Sequence, residues 1–187
     1  LGDVYKRQIL HTSDWHLGKT IYGKSMLPDQ EFFIEQIFLP LVKQERPDCV
    51  LLAGDIYDRQ IAPVEAIRLF DRVISTLNRE NIPLVAITGN HDGADRVAVG
   101  ISLLEKQGVV LANRLERDRK PVEFIKEGRR IHIYPLPYFE LEQARACYPD
   151  QEIKQLQDAY AAILGDIQEN MDPDAFHILM AHCFIAG

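Results

Sequence analysis

The chain has 187 residues, enough for one domain with a sizeable core. Hydrophobic residues at 47% and charged residues at 26% are the balance of a folded globular protein, and no apolar run approaches the ~18 residues of a membrane span. The formal charge of −7 (sequence pI about 5.4) argues against a protein that coats nucleic acid by bulk electrostatics. It leaves a local nucleic-acid path open, because metal-binding carboxylates add negative charge that bound cations offset.

Residues 1–8 show neither helical nor strand periodicity and read as a lead-in outside the fold. Residues 9–13 form a short strand leading into Asp14. Residues 28–44 read as a helix with its apolar face at Phe32, Phe33, Ile37 and Leu41, interrupted by Pro47. Residues 48–53 are a near-continuous apolar strand, as in a sheet covered on both faces. A helix opens at Pro63, buries Ile67, Phe70, Val73, Ile74 and Leu77, and runs to about Arg79. Residues 83–88 are the next buried strand, and residues 96–107 a helix stopped by Gly108. Beyond Val109 the character changes to a hairpin: 122–125, a turn at 126–129, then 130–134. Helical stretches at 141–146 and 150–169 precede a last strand at 175–182. The alternation of strand and helix predicts an α/β fold with a mainly parallel sheet, which places ligands at the carboxyl ends of the strands. Cys49, Cys147 and Cys183 are odd in number and lack a C-x-x-C. They read as reduced thiols of a cytoplasmic protein, two of them in strands.

Three motifs occupy those strand ends: Asp14-Trp15-His16, Gly54-Asp55-Ile56-Tyr57-Asp58 and Gly89-Asn90-His91-Asp92. Asp14 and His16 are two apart and share a side at a strand end, so they can grip one ion. Asp55 has two carboxylate oxygens and can bridge two metals ~3.5–4 Å apart. Asn90 offers a neutral amide oxygen, and His91 lies beside the ligands facing the substrate. Mixed carboxylate, amide and imidazole donors suit two divalent ions, manganese first, with magnesium, iron and zinc as alternatives. Asp58 and Asp92 read either as groups that orient Asp55 and His91 by hydrogen bonds or as turn and cap residues. His11 and His177 are expected to pack, and His132 to lie on a sheet face away from the site. His182 ends its strand where the earlier ligands end theirs, and is expected to ligate.

These motifs, with the opening run Leu10 to Lys19 and the closing run Ala181 to Gly187, resemble the calcineurin-like metallophosphoesterases. The resemblance covers residues 9–187 and implies a four-layer α-β-β-α sandwich, incomplete at the C-terminus. It implies that Asp14 and His16 bind a first metal, Asp55 bridges, Asn90 and His182 bind a second, and His91 stabilises the transition state or protonates the leaving oxygen. The tryptophan in D-W-H-L-G and the final A-H-x-x-x-A-G point within the family to DNA-end nuclease subunits. Those act on double-stranded ends and on hairpins or single strands, pair with an ATPase subunit, and form homodimers within heterotetramers. The family's G-H-x-H motif and cap domain are expected beyond this chain, leaving residues 9–187 a weak metal binder with little activity. The alternatives are a phosphoesterase acting on nucleotides or small phosphodiesters, and a catalytically inactive binding subunit.

Overall fold

β-Branched and leucine-rich runs build the central sheet. In the computed structural model, which describes residues 8–99, 105, 108–126 and 128–185, β1 (Ile9–Thr12), β4 (Cys49–Ala53), β5 (Leu84–Ile87) and β6 (Val109–Ala112) form one parallel sheet in the order β1-β4-β5-β6. The register pairs Thr12 with Leu52 and Ala53 with Ile87. Strands β1, β4 and β5 therefore end at one edge of the sheet, and the three motif loops leave side by side. Strand β6 was not foreseen from the sequence. Between β1 and β4 lies a small hairpin, β2 (Thr20–Ile21) and β3 (Lys24–Ser25). Its turn residues Tyr22 and Gly23 both have positive φ, 48° and 77°, the twist that a two-residue hairpin favours.

One face of this sheet is covered by α1 (Leu27–Phe33), a π-helical segment (Ile34–Phe38), α2 (Leu39–Glu45) and α3 (Val64–Arg79). The first three run on as one helix. Pro40 lacks an N–H, and its ring crowds the carbonyl four residues earlier, which accounts for the widened turn just before it. The expected apolar face is corrected here. Phe32, Phe33, Ile37 and Leu41 are exposed, whereas Ile34, Phe38, Leu39 and Val42 are buried. Two apolar stripes compete in this sequence, and the one with Ile34, Phe38 and Val42 at four-residue spacing meets the sheet. In α3, Leu69, Phe70, Val73, Ile74 and Leu77 are buried, but Ile67 is exposed.

The sheet's other face carries Cys49, Leu51, Val85 and Ile87, packed against Ile131, Ile133 and Met180 of a second sheet. That sheet is β7 (Val122–Lys126), β8 (Arg129–Leu136) and β9 (Ala175–Ala181), with β7 antiparallel and β9 parallel to β8. Beyond it, α5 (Leu141–Cys147) and α6 (Leu156–Glu169) form a third apolar cluster with Leu136, Phe139 and Tyr148. The order of layers is helices, sheet, sheet, helices, an α/β architecture of the expected kind. Helix α6 begins six residues later than its periodicity suggested, because the Asp158 carboxylate accepts from the amides of Lys154 and Gln155 and caps the helix there. Helix α4 (Ala94–Val97) is short. Most of the helix expected over 96–107 lies outside the described residues. Only Cys49 of the three cysteines is in a strand. No helix among the described residues is long and apolar enough to cross a membrane.

Candidate metal centre

Backbone hydrogen bonds knit the first two motif loops together. Asp14 N donates to the Gly54 carbonyl (3.1 Å), His16 N to Asp55 O (2.9 Å) and Leu17 N to Ile56 O (2.9 Å). Strand β1 has ended at Thr12, so Asp14 and His16 do not converge by strand alternation as expected. They converge because the loop turns through left-handed conformations, φ 54° at Asp14 and 45° at His16, with Asp55 at 49°. Trp15 anchors this loop, its indole N–H donating to Thr12 Oγ1 and its ring edge-on to Phe38 and Phe70. Gln30, which the sequence did not single out, holds it from α1. Its amide nitrogen donates to the carbonyls of Trp15 and His16, and its oxygen accepts from Gly18 N.

Asp55 is buried at the centre. Its Oδ1 accepts from the His91 backbone N–H (3.0 Å), which leaves Oδ2 facing the cleft. From Oδ2, His16 Nε2 lies at 3.6 Å and His182 Nε2 at 3.5 Å, on two different loops. Asp14 Oδ1 is 3.9 Å from His16 Nε2, and Asn90 Oδ1 is 3.2 Å from His182 Nε2. Two groups of metal-type donors result, His16-Asp55-His91 and Asp14-Asp55-His182, with Asp55 in both. The carboxylate thus presents one oxygen, rather than one on each side, to both groups.

The orientation of His182 follows from its partner. Its Nδ1 is 2.8 Å from the carbonyl of Ala53, which can only accept, so Nδ1 carries a proton and a neutral ring turns its Nε2 lone pair to the cleft. In that form the lone pair, Asn90 Oδ1 and Asp55 Oδ2 are three acceptors pointed at one another. Such a set is electrostatically unfavourable by itself and fits a cation. His16 Nε2 similarly faces Asp14 and Asp55, while its buried Nδ1 lies 3.7 Å from Asp58 and makes no hydrogen bond. The residues present therefore fit two divalent ions sharing Asp55.

His91 is exposed, edge-on to the His16 ring at 4.8 Å. Its Nδ1 donates to the backbone carbonyl of Asp58 (2.9 Å), leaving Nε2 free. Asp58 thus orients His91 through its main chain. Asp92 acts on backbone as well: Oδ2 accepts from Ile56 N (3.1 Å) and Gly89 N (2.9 Å), and Oδ1 from Tyr57 N (2.8 Å). It staples the loop carrying Asp55 to the loop carrying Asn90. Burial pushes its carboxyl above the usual range, the three amides pull it down, and the nearby Asp55 adds to the rise.

Two glycines matter for what they lack. A Cβ on Gly54 would collide with the His182 imidazole, and one on Gly89 with the Asp55 carboxylate and amide. Composition alone marks these as turn residues; only the packing shows which side chain each makes room for. The cleft, of about 390 Å³, is also lined by His11 and Phe184. His11 is exposed there rather than packed, on the edge strand β1. His132 is buried on the second sheet beside His177, which bonds Tyr134 and the carbonyl of Asp172, away from the cleft.

Comparison with known proteins places the whole described fold in one family. The calcineurin-like phosphoesterase family model matches residues 7–186. The chain is 33% identical to the SbcD component of the nuclease SbcCD of Staphylococcus epidermidis (strain ATCC 12228 / FDA PCI 1200) over 181 residues, 96% of this chain and 47% of that protein. It therefore spans about half the length of the curated relative it matches. A matching family profile over nearly the whole chain, and the motif loops at one edge of a parallel sheet, lead to one assignment: the chain belongs to the calcineurin-like phosphoesterase family.

Proposed function

We propose that the protein is the phosphodiesterase core of a metal-dependent DNA nuclease subunit that acts in DNA end processing with an SbcC-type ATPase subunit. One observation carries the metal-dependent chemistry: Asp55 Oδ2 lies between two imidazole nitrogens from different loops, with acceptors converging on both sides. The DNA substrate and the ATPase partner rest on the likeness to the SbcD component of SbcCD.

Asp14, His16 and Asp55 would hold one divalent ion, and Asp55, Asn90 and His182 the second. Manganese is the metal this donor set favours. When bound, such a pair lowers the pKa of a water and offsets phosphate charge as attacking and leaving oxygens align. The chain's own residues do the rest. Asp58 fixes the His91 ring through Nδ1, so that Nε2 can hold a proton for the leaving oxygen. Asp92 and Gln30 keep the ligand loops in place before substrate arrives. The two histidines of the family's G-H-x-H motif, absent from residues 9–187, would complete the ligand set. The exposed stripe of Phe33, Ile37 and Leu41 is the proposed homodimer face. The free thiols fit a cytoplasmic setting.

The test is cleavage by the chain extended through its G-H-x-H segment, with manganese, on labelled linear duplex DNA and on a small aryl phosphodiester. Asp55→Ala serves as control. DNA cleavage lost in the control supports the reading. Diester turnover with intact DNA replaces it with a small-substrate phosphoesterase. Melting unmoved by manganese, with neither substrate cleaved, replaces it with a binding subunit.

A further inference from the structure

We infer that Phe184 is a base-stacking residue, which seats an unpaired nucleobase beside the phosphodiester at the metal centre. The inference rests on the nuclease reading above and names how substrate is oriented.

Phe184 lies two residues after the ligand His182 and lines the same cleft as Asp14, His16, Asp55 and Asn90. Its side chain is 81% exposed, the most exposed phenylalanine among the described residues. The segment that carries it is not loose. His182 is fixed to the Ala53 carbonyl, and its side chain meets Asn90 on the facing loop. Tyr138 forms a T-shaped pair with Phe184, ring centroids 6.4 Å apart, and most of the phenyl surface stays open to solvent.

What this position needs follows from the rest of the cleft. No Lys or Arg is among its described lining residues, and the chain carries a charge of −7. These described residues therefore offer a phosphate backbone little electrostatic attraction of their own. A phosphodiester in the cleft is flanked by two nucleosides, and the large apolar surface offered to them is the Phe184 ring. Stacking on a phenyl ring tolerates every base, because every base has a π-face. This suits an enzyme that must cut ends, hairpins and single strands of any sequence. It also predicts which DNA is cut: a base must be unpaired to reach the ring, so frayed ends and loops are favoured over internal duplex.

The experiment compares two oligonucleotides in the full-length, manganese-loaded protein. One is a normal single strand; the other has abasic nucleotides flanking the scissile bond. Wild type is expected to show a KM about tenfold higher on the abasic strand, since stacking contributes on the order of 1–3 kcal/mol per base. Phe184→Leu, which keeps apolar volume without a π-face, should show the high KM on both strands, and Phe184→Trp should behave as wild type. Manganese affinity and melting temperature should be unchanged in both variants. Equal KM on the two strands in wild type, or discrimination that survives in Phe184→Leu, overturns the stacking role alone. Loss of manganese affinity with Phe184→Leu overturns it in favour of a packing role. A wild-type protein that hydrolyses the aryl diester but neither oligonucleotide overturns the nuclease reading, and stacking with it.

Discussion

Gly54→Ala separates a backbone cost from a site cost, provided Gly23→Ala is made beside it. Both glycines lie in the left-handed region, φ 86° and 77°. An L-residue there costs about 1–2 kcal/mol. At Gly23 the new methyl meets nothing within 4 Å, so that strain is the whole penalty. At Gly54 the methyl must push the His182 imidazole away, which also breaks its bond to the Ala53 carbonyl, worth about 0.5–1.5 kcal/mol. The predicted losses are ~1–2 kcal/mol for Gly23→Ala and ~2–4 kcal/mol for Gly54→Ala. In a domain of this length about 1 kcal/mol moves Tm by ~2–4 °C. Differential scanning fluorimetry with and without manganese reads both effects. Gly54→Ala should melt several degrees below Gly23→Ala and lose whatever manganese stabilisation the parent shows; Gly23→Ala should keep it. Melting of the two variants within a degree of each other, with equal manganese responses, would refute the close approach of Gly54 to His182.

Other consequences follow from packing and burial. Ile133, fully buried between the two sheets, is expected to cost about 2–5 kcal/mol on truncation to Ala, read as a shift in urea midpoint without change in m. Burial of the Cys49 thiol pushes its pKa up to about 12. A raised pKa on an acid favours the protonated form in the fold, so its contribution is present at neutral pH and lost as pH rises from about 9 toward 12. Tm should accordingly fall more steeply over that window in the parent than in Cys49→Ala, and iodoacetamide at about pH 8.5, near the ordinary thiol pKa, should leave Cys49 unmodified in the native protein. Ile37, half exposed on the outer side of the π segment, belongs to the proposed dimer face. Ile37→Asp should convert any dimer to monomer by sedimentation velocity with little change in Tm; an unchanged mass places the interface elsewhere.

The parallel sheet was legible because β4 and β5 are short, wholly apolar runs, each followed by a glycine and a polar residue of the cleft, a pattern that requires cover on both faces. The face of the first helix was not legible. Residues 32–42 carry two apolar stripes offset by one position, and periodicity alone cannot choose between them when a proline shifts the turn in between. Strand β6 escaped because four residues, Val109–Ala112, follow Gly108 with no polar motif at their end. Within the site, residue types marked the candidates: the structure brings Asp14, His16, Asp55, Asn90 and His182 to one cleft. The supports were silent. Gln30 is an ordinary glutamine on a helix, and Asp92, expected either to orient Asp55 and His91 or to cap a turn, binds the backbone amides of both loops, a partner choice that residue type does not reveal.

Strain and chemistry coincide in these loops. Of the six described non-glycine residues with positive φ, three are Asp14, His16 and Asp55. At about 1–2 kcal/mol each, they hold several kcal/mol of backbone strain within one cleft. Relaxing any one of them to the ordinary helical or extended region would swing its side chain off the common centre. The fold prevents that with main-chain bonds between the two loops, with the Gln30 clamp on one side and the Asp92 staple on the other. The same constraint presses lone pairs together around Asp55 Oδ2, which disfavours the cation-free cleft. A divalent ion bound there would relieve that repulsion without moving the backbone. The physical logic of the site is therefore a scaffold that spends folding energy to hold its donor atoms around one centre, so that metal binding needs little rearrangement.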